Sequence, residues 1–410
     1  MKTNKETYLI HTLPNGLRII FMPNSSDVAY CGLSIDAGSR DEQDGSHGLA
    51  HFVEHTIFKG TRHRRAWHIL NRMERVGGEL NAYTTKENTT VYSVFPCKHL
   101  SRAVELISDL VAYSIFPENE LDKEREVVLD EAASYRDAPA EAVCDDFEDM
   151  IWKGNPLGHN ILGIEQDLRR FTGDDCRNYL NNLYVPTNMV FFVLGNYKES
   201  MVFHVVERYF GSLCHPLSKP VRMQPQQLPP FNIRQTIGSH QAHTIYGAPI
   251  FSMYDHRRYA MLLLNNMLGG PGMNSMLNIA IRERRGYAYT VESSISLFSD
   301  CGLMQIYFGS DSKHVAPSIK LISSIINDLA SSPVSEKALD AAKKQFIGQL
   351  LVSSDNNEAL ALSMGKSFLY YGHVADNEET TAHIMDVTPS QIMEAAAIIS
   401  PTQASTLTFE

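Results

Sequence analysis

The apolar and polar positions follow the same order in the two halves of the chain. Residues 103–111 and 318–326 place apolar side chains three and four positions apart, which predicts an amphipathic helix in each half. Both helical patterns end before a proline, which is Pro117 in the first half and Pro333 in the second. The two segments lie about 215 residues apart, so the elements around them can be compared at that offset.

The neighbouring elements match at the same offset. An acidic helix is predicted after each proline, over 118–135 in the first half and 334–353 in the second. Before each amphipathic helix, a basic helical turn that ends in glycine precedes alternating β-rich residues, which span 80–95 and 288–309. An ordered match of several elements favours an internal duplication over a chance similarity between amphipathic helices.

The proline content is highest near the midpoint of the chain. Five prolines lie between Gly211 and Asn232, and prolines at this density do not sustain a helix or a central strand. We therefore predict an N-terminal domain over 1–212, an extended linker over 213–231 and a C-terminal domain over 232–410. Strand pairs separated by helices predict an α+β fold, with two similar domains that each pack an antiparallel sheet against helices.

Composition narrows the class of protein. The 410 residues are 43% hydrophobic, which is enough for two domains with buried cores. A formal net charge of −11 argues against a nucleic-acid-binding protein, because such proteins usually carry a basic face. The N-terminus has no apolar run of the secretory type, and the most apolar stretch, 189–194, is too short for a bilayer. The six cysteines form no CxxC pair, so we expect a cytoplasmic protein with reduced thiols and no membrane association.

Candidate metal chemistry concentrates in residues 48–60, GLAHFVEHTIFKG, where no proline interrupts a run that suits a buried helix. His51 and His55 lie four residues apart, so a helix presents both imidazoles to one ion. Glu54 stays near the same face and can reach a water molecule without binding the metal, in the order HxxEH. The ordinary alternative is two histidines packed inside a helix. His47 and His51 form a rival pair, which lacks a glutamate in the general-base position.

The spacing of the acidic residues leaves the third ligand open. A catalytic zinc ion takes three protein ligands and keeps a fourth position for water. Glu124 and Glu131 lie seven residues apart and share one face of the predicted acidic helix. Glu126 and Asp130 point elsewhere on that helix and are typical of solvated charges. Spacing alone does not choose among these carboxylates.

Several motifs resemble those of the pitrilysin/insulinase-like zinc peptidases, the inverzincins. The closest similarity is to the short-chain branch that includes the mitochondrial processing peptidase β subunit and its bacterial relatives. Residues 51–61, HFVEHTIFKGT, are nearly the family signature. Other segments similar to family motifs follow the family order, at 13–18, 37–42, 77–84, 184–189 and 195–196. The resemblance therefore runs nearly end to end.

The resemblance implies a ligand set and a role for each residue. The family places its glutamate ligand about 76 residues after the second histidine, and this distance selects Glu131. His51, His55 and Glu131 are then expected to hold one zinc ion per chain, with Glu54 as the general base. Glu124 matches a second acidic position in the family, which supports the site without binding zinc.

The second half of the chain carries no HxxEH motif at the corresponding place, so we expect a metal-free domain. Arg282 and Tyr289 lie seven residues apart and resemble the family's substrate-orienting pair, which completes the active site. The ordinary alternative is that Arg282 is a surface charge and that Tyr289 packs on a helix. Met276 departs from the family, in which an arginine often follows the glycine-rich turn.

The resemblance also implies a substrate and an assembly. A peptide is expected to add as a β-strand to the sheet edge formed by Asn81, Ala82, Tyr83 and Thr84. Two chains are expected to close one clamshell as a homodimer, or as a heterodimer with a related subunit. The expected function is a zinc-dependent endopeptidase that cleaves peptides or small unfolded polypeptides. The alternatives are a protease dedicated to one precursor, or a non-catalytic structural or binding subunit of the same fold.

Overall fold

The computed structural model describes residues 8–213 and 221–410. The strands are, in chain order, β1 (Leu9–Thr12), β2 (Arg18–Pro23), β3 (Val28–Ile35), β4 (Glu79–Thr84), β5 (Thr89–Pro96), β6 (Met189–Gly195), β7 (Asn232–Gln235), β8 (Ala242–Ile250), β9 (Ala288–Leu297), β10 (Gly302–Ser310) and β11 (Ser405–Phe409). The helices are α1 (Leu49–Thr56), α2 (Ala66–Glu74), α3 (Leu100–Tyr113), α4 (Glu118–Arg136), α5 (Pro139–Ile151), α6 (Glu165–Leu168), α7 (Gly173–Leu183), α8 (Glu199–Phe210), α9 (Arg258–Gly269), α10 (Ser312–Ser331), α11 (Glu336–Ser353), α12 (Asn357–Tyr371), α13 (Asn377–Met385) and α14 (Pro389–Ile398). A π-helical segment spans Asn278–Glu283.

The described residues divide into two compact units, each with one sheet. The first unit contains residues 8–133, 159–213, 221–222 and 353–376, and the second contains Ser134–Gly158, Met223–Val352 and Asn377–Glu410. Residues 221–231 of the predicted linker form no helix or strand, and residues 214–220 lie outside the described part of the chain. The domain limits at 212 and 232 stay a prediction.

The first sheet has six strands in the order β1-β2-β6-β3-β5-β4. Neighbouring strands are antiparallel except β2 and β6, which are parallel. The central strand β6 has the sequence MVFFVLG and is buried at every position, as expected for a strand with both faces covered. The strand β4 lies at one edge of this sheet.

The second sheet repeats the topology of the first. Its order is β7-β11-β8-β10-β9, with one parallel pair, β7 and β11. The strand β1 is an additional edge strand of the first sheet. Apart from it, both sheets have the same order, in which β2 or β7 pairs with the last strand of its half, followed by the next strand along the chain and then by the two strands of the hairpin in reverse order. This common order confirms the predicted α+β fold with two similar sheets and supports an internal duplication.

The helices and strands predicted from the repeated pattern are confirmed. The two amphipathic helices are α3 and α10, and each ends before its proline. The helices predicted after the two prolines are α4 and α11, which begin at Glu118 and Glu336. Of these two, α4 is acidic, whereas α11 carries slightly more basic than acidic residues. The β-rich regions form the hairpins β4–β5 and β9–β10.

Each unit covers one face of its sheet with a helix from the other half of the chain. In the first unit, Met364 and Phe368 of α12 pack with Phe192 of β6 in one apolar cluster. In the second unit, Val143 and Phe147 of α5 pack with strand residues such as Leu407. Because these helices are buried against the sheets, each unit depends on both halves of the chain. No helix among residues 8–213 and 221–410 is long and apolar enough to cross a membrane.

Candidate metal centre

The helix α1 carries the HxxEH motif and begins at a backbone turn held by Glu42. Gly48 precedes the helix with φ of 96°, a left-handed conformation that favours glycine. The carboxylate of Glu42 accepts hydrogen bonds from the backbone N–H of Gly48 at 2.9 Å and of Ala50 at 2.8 Å. Because these N–H groups lie at the helix N-terminus, the carboxylate satisfies donors that have no partner within the helix.

The three predicted zinc ligands converge. One donor atom from each of His51, His55 and Glu131 lies within 4.8 Å of the other two. Oε2 of Glu131 is 3.4 Å from Nε2 of His55 and 3.8 Å from Nε2 of His51. Bonds of 2.0–2.1 Å to a tetrahedral zinc ion would separate its donor atoms by roughly 3.4 Å. The donor set and its spacing therefore fit a zinc ion. Among the described residues, this is the group of three or more potential ligands close enough to share one ion.

Burial keeps His51 in the form that binds a metal. Burial, with a smaller contribution from His55, lowers the pKa of His51 to about 3. His51 is therefore neutral near pH 7, which is the form that binds a metal. Its Nδ1 atom is buried and has no hydrogen-bond partner in the described parts of the chain.

Glu124 contacts the Nδ1 atom of His55, and Lys59 in turn contacts Glu124. Oε2 of Glu124 lies 3.4 Å from Nδ1 of His55, and Oε1 of Glu124 lies 2.6 Å from Nζ of Lys59. A carboxylate at Nδ1 fixes the imidazole so that Nε2 faces the ion. Glu124 therefore contacts His55 on the side of Nδ1, and Lys59 pairs with the Glu124 carboxylate. The supporting role of Glu124 stays a prediction.

The rival candidates do not join the cluster. The ring of His47 lies against that of His159, with centroids 3.6 Å apart and an angle of 36° between the ring planes. Glu126 is exposed and pairs with Arg169 at 3.5 Å, while Asp130 is exposed on α4. These positions agree with the prediction that Glu126 and Asp130 are solvated charges.

Glu54 lies beside the cluster and near the edge strand β4. Burial raises the pKa of Glu54, while the neighbouring Thr84 and His55 oppose that rise. Thr84 is the last residue of β4, so the predicted base lies close to the predicted peptide-binding edge. All four predicted substrate-binding residues, Asn81, Ala82, Tyr83 and Thr84, belong to β4 and pair with β5 on one side.

In the second unit, Arg282 and Tyr289 form a contact pair. The guanidinium carbon of Arg282 lies 5.5 Å from the centroid of the Tyr289 ring, and Nε of Arg282 lies 3.6 Å from Glu283. The Tyr289 residue is 80% exposed, so it does not pack on a helix. An exposed phenol beside a cation is available to a ligand.

The sequence did not single out Glu42 or Lys59, two residues that contact the helix start and Glu124. Glu42 lies seven residues before α1, which is too far for the usual helix-capping pattern. Lys59 lies inside the family-like motif, four residues after His55, and this helical spacing was the available signal. Both residues act through contacts that only the folded chain brings together.

The fold and the site define a duplicated α+β protein with a His–His–Glu cluster in its first half. Residues 18–165 match the profile of the family described as "Insulinase (Peptidase family M16)", and residues 170–346 match "Peptidase M16 inactive domain". The chain is 34% identical over 394 residues to an uncharacterized zinc protease of Streptomyces coelicolor, covering 94% of this chain and 85% of that protein. The chain therefore belongs to the insulinase family.

Other relatives cover the chain to a similar extent. An uncharacterized zinc protease of Bacillus subtilis is 33% identical over 88% of each chain. The mitochondrial-processing peptidase subunit beta of Caenorhabditis elegans is 28% identical, over 96% of this chain and 90% of its own. A protease from Helicobacter pylori has a similar solved structure, with a TM-score of 0.91, 20% identity and 99% coverage of both chains. This last likeness shows the shared fold.

Proposed function

We propose that the chain is a zinc-dependent endopeptidase that binds one zinc ion through His51, His55 and Glu131. The convergence of these three side chains within 4.8 Å is the observation that carries the proposal. Relatives named zinc proteases, which align over most of the chain, support the same reaction class.

The proposed mechanism gives the acid–base work to Glu54. When bound, zinc polarises a peptide carbonyl and lowers the pKa of water to about 7. Glu54 lies next to His55 on α1, where its carboxylate can take the proton of the attacking water and return it to the leaving amine. The raised pKa of Glu54 suits this exchange, because burial moves the affinity of the carboxylate for a proton towards neutral pH.

A peptide substrate is proposed to extend the first sheet along β4. Among the described strands, β4 pairs only with β5, so its other edge can pair with an added strand. Thr84 at the end of β4 lies near Glu54, which brings an added strand towards the acid–base residue. Because backbone groups make these contacts, the strand admits substrates of varied sequence.

Arg282 and Tyr289 are proposed to stabilise the oxyanion or orient the substrate in a homodimer, where they act on the zinc site of the other chain. The exposure of Tyr289 and its contact with Arg282 support a role in ligand binding. Mixing Glu54→Gln protein with Tyr289→Phe protein tests this arrangement. Mixed dimers should recover activity that neither variant has alone, whereas an inactive mixture would contradict action between chains.

The proposed function is tested with Glu54→Gln. This variant should keep about one zinc ion per chain, while hydrolysis of a quenched peptide falls about 10²–10⁴-fold, because the general base is lost. Glu126→Gln on the exposed face of α4 is the matched control and should keep full activity. Unchanged turnover in Glu54→Gln would exclude Glu54 as the base, and a wild-type protein that binds zinc without cleaving peptides would indicate a binding subunit.

A library of mixed peptides, profiled with and without chelator, separates general peptide degradation from the processing of one precursor. Cleavage at many unrelated sites supports an oligopeptidase. Cleavage restricted to one sequence motif supports a dedicated processing protease.

A further inference from the structure

A basic groove runs along α2 in the first unit. The proposed ligands and Glu54 do not line it, although Lys59, which pairs with Glu124, lies at its edge. Two hollows of about 730 and 280 Å³ adjoin there and share the lining residues His63, Arg64, Trp67 and His68. Six arginines line the two hollows together: Arg62, Arg64, Arg65, Arg72, Arg75 and Arg102. We call this surface the basic groove. It is notable in a chain with a formal net charge of −11.

The arginines of the basic groove fall into two groups. Arg64 pairs with Glu105 and Asp109, and Arg72 pairs with Glu105 at 3.0 Å. The other four arginines make no ion pair with a carboxylate in the described part of the chain. The groove therefore keeps unneutralised positive charge, which favours an anionic ligand.

Apolar surface is exposed in the groove and beside it. Trp67, which lines both hollows, is 56% exposed, and Leu70, three residues further along α2, is 53% exposed. The guanidinium of Arg75 lies 4.8 Å from the centroid of the Trp67 ring, which holds the ring and the charge side by side. Tryptophan and arginine are the residues that most often dominate the binding energy of protein interfaces. An exposed pair of this kind favours a ligand with both carboxylate and apolar groups.

We propose that the basic groove binds an acidic polypeptide segment. Carboxylates of the segment pair with Arg65 and Arg75, since a guanidinium matches a carboxylate with two parallel hydrogen bonds. An apolar side chain of the segment packs on Trp67 and Leu70. A nucleic acid fits less well, because at least half of its hydrogen bonds to proteins involve phosphates and sugars, to which the exposed Leu70 offers no contact. The proposal does not depend on peptidase activity.

The fluorescence of Trp67 gives a direct readout. The chain has two tryptophans, and Trp152 is only 2% exposed, so Trp67 should account for the emission that iodide quenches. The Glu54→Gln protein is titrated with a 12-residue peptide that alternates glutamate and leucine, and with the same peptide carrying glutamine in place of glutamate. The acidic peptide should shift the Trp67 emission to the blue and protect it from iodide, and the neutral peptide should not.

Arg65→Ala/Arg75→Ala tests the charge pairing. This double variant should bind the acidic peptide about tenfold more weakly, because two exposed charge pairs are lost. Lys320→Ala/Lys337→Ala is the matched control, since it removes two exposed positive charges from the second unit and should bind as before. Circular dichroism establishes that both variants are folded. Equal weakening in both double variants would show a general charge effect and overturn the proposal.

Three further results would overturn the proposal that the basic groove binds an acidic polypeptide segment. The first is equal binding of the acidic and neutral peptides. The second is tighter binding of a single-stranded oligonucleotide or of inorganic polyphosphate than of the acidic peptide, which would assign the groove to phosphate ligands. The third is a Trp67 that iodide cannot quench in the purified protein, which would show that another copy of the chain covers the groove.

Discussion

Oε2 of Glu124 lies 3.4 Å from Nδ1 of His55, so a carboxylate orients one of the two proposed histidine ligands. Glu124→Gln keeps the shape of the side chain and removes its charge. The zinc affinity should then fall about 10–100-fold, since a carboxylate partner fixes the ring and raises the basicity of the ligand. Competition with a chromophoric chelator measures this change.

The exposed carboxylate of Glu126, two residues away on the same helix, provides the control for Glu124. Glu126→Gln should leave the zinc affinity unchanged, because Glu126 contacts Arg169 and no proposed ligand. An equal loss of affinity in the two variants would mean that the total charge of α4 matters, and not the contact with His55.

The buried Glu42 predicts a dependence of stability on pH. Burial, opposed by hydrogen bonds from Ala50 and Gly48, raises the pKa of Glu42 from 4.5 to about 8. Because the folded state then holds a proton that the unfolded state has released, the free energy of unfolding should decrease as the pH rises between these values. From pH 6 to pH 8 the decrease should be on the order of 2 kcal/mol, and Glu42→Gln should lack it.

Urea denaturation of the wild-type protein and of Glu42→Gln at both pH values measures this difference. The comparison between the two proteins isolates Glu42, because all other groups titrate in both. A wild-type protein that follows the pH profile of Glu42→Gln would show that the carboxyl titrates in its ordinary range.

Gly365 lets α12 pack directly against the first sheet. A Cβ atom at this position would overlap the ring of Phe192 and lie 2.7 Å from Oγ of Ser34. The same ring also lies against Gly32, where a Cβ atom would be 2.4 Å from it, so the ring is closely packed at both glycines. Gly365→Ala should therefore destabilise the protein by about 1–3 kcal/mol, as overpacking does elsewhere. Chemical denaturation measures the change.

Gly348 in α11 provides a control for which the expected change in stability has the opposite sign. A Cβ atom at Gly348 would meet nothing within 4 Å, so Gly348→Ala should stabilise the protein by about 0.5–1 kcal/mol through helix propensity. Destabilisation by both changes would show that the close approach of α12 is not the cause.

Arg222 shows what the sequence could not reveal about the predicted linker. Its proline-rich surroundings predicted an extended connection, yet Arg222 donates two hydrogen bonds to Asp41, at 2.9 and 2.8 Å. Nη1 of Arg222 also lies 2.9 Å from Oδ1 of Asp36. Local composition predicts the absence of a helix or strand, but a contact across 181 positions depends on the folded chain.

Arg222→Met should lower the free energy of unfolding by about 3–5 kcal/mol at pH 7, because it leaves the buried Asp41 without a cation. Burial already raises the pKa of Asp41, and Arg222 opposes that rise. The loss of stability caused by Arg222→Met should therefore be smaller at acidic pH, where Asp41 takes up a proton. Arg177→Met, which removes an exposed pair with Asp174, should change the stability by less than about 0.5 kcal/mol. Thermal unfolding at pH 5 and pH 7 measures both variants.

The sequence predicted local elements well and long-range partners only through the resemblance. The spacing of His51 and His55 alone placed both imidazoles on one helix face, because the helical period fixes that geometry. The choice of Glu131 over Glu124 came from the family distance, since both carboxylates share a face of α4. The packing of α5 and α12 was not predictable, because the apolar face of a helix shows that the helix is buried but does not identify the sheet on which it packs.

The central claim is that His51, His55 and Glu131 bind one zinc ion. Anomalous diffraction at the zinc absorption edge, from crystals of zinc-loaded Glu54→Gln protein, tests it directly. One zinc peak per chain is expected, bonded to Nε2 of both histidines and to a carboxylate oxygen of Glu131 at about 2.0–2.2 Å. A zinc-loaded crystal with no peak between these side chains, or with the ion bound elsewhere, would contradict it.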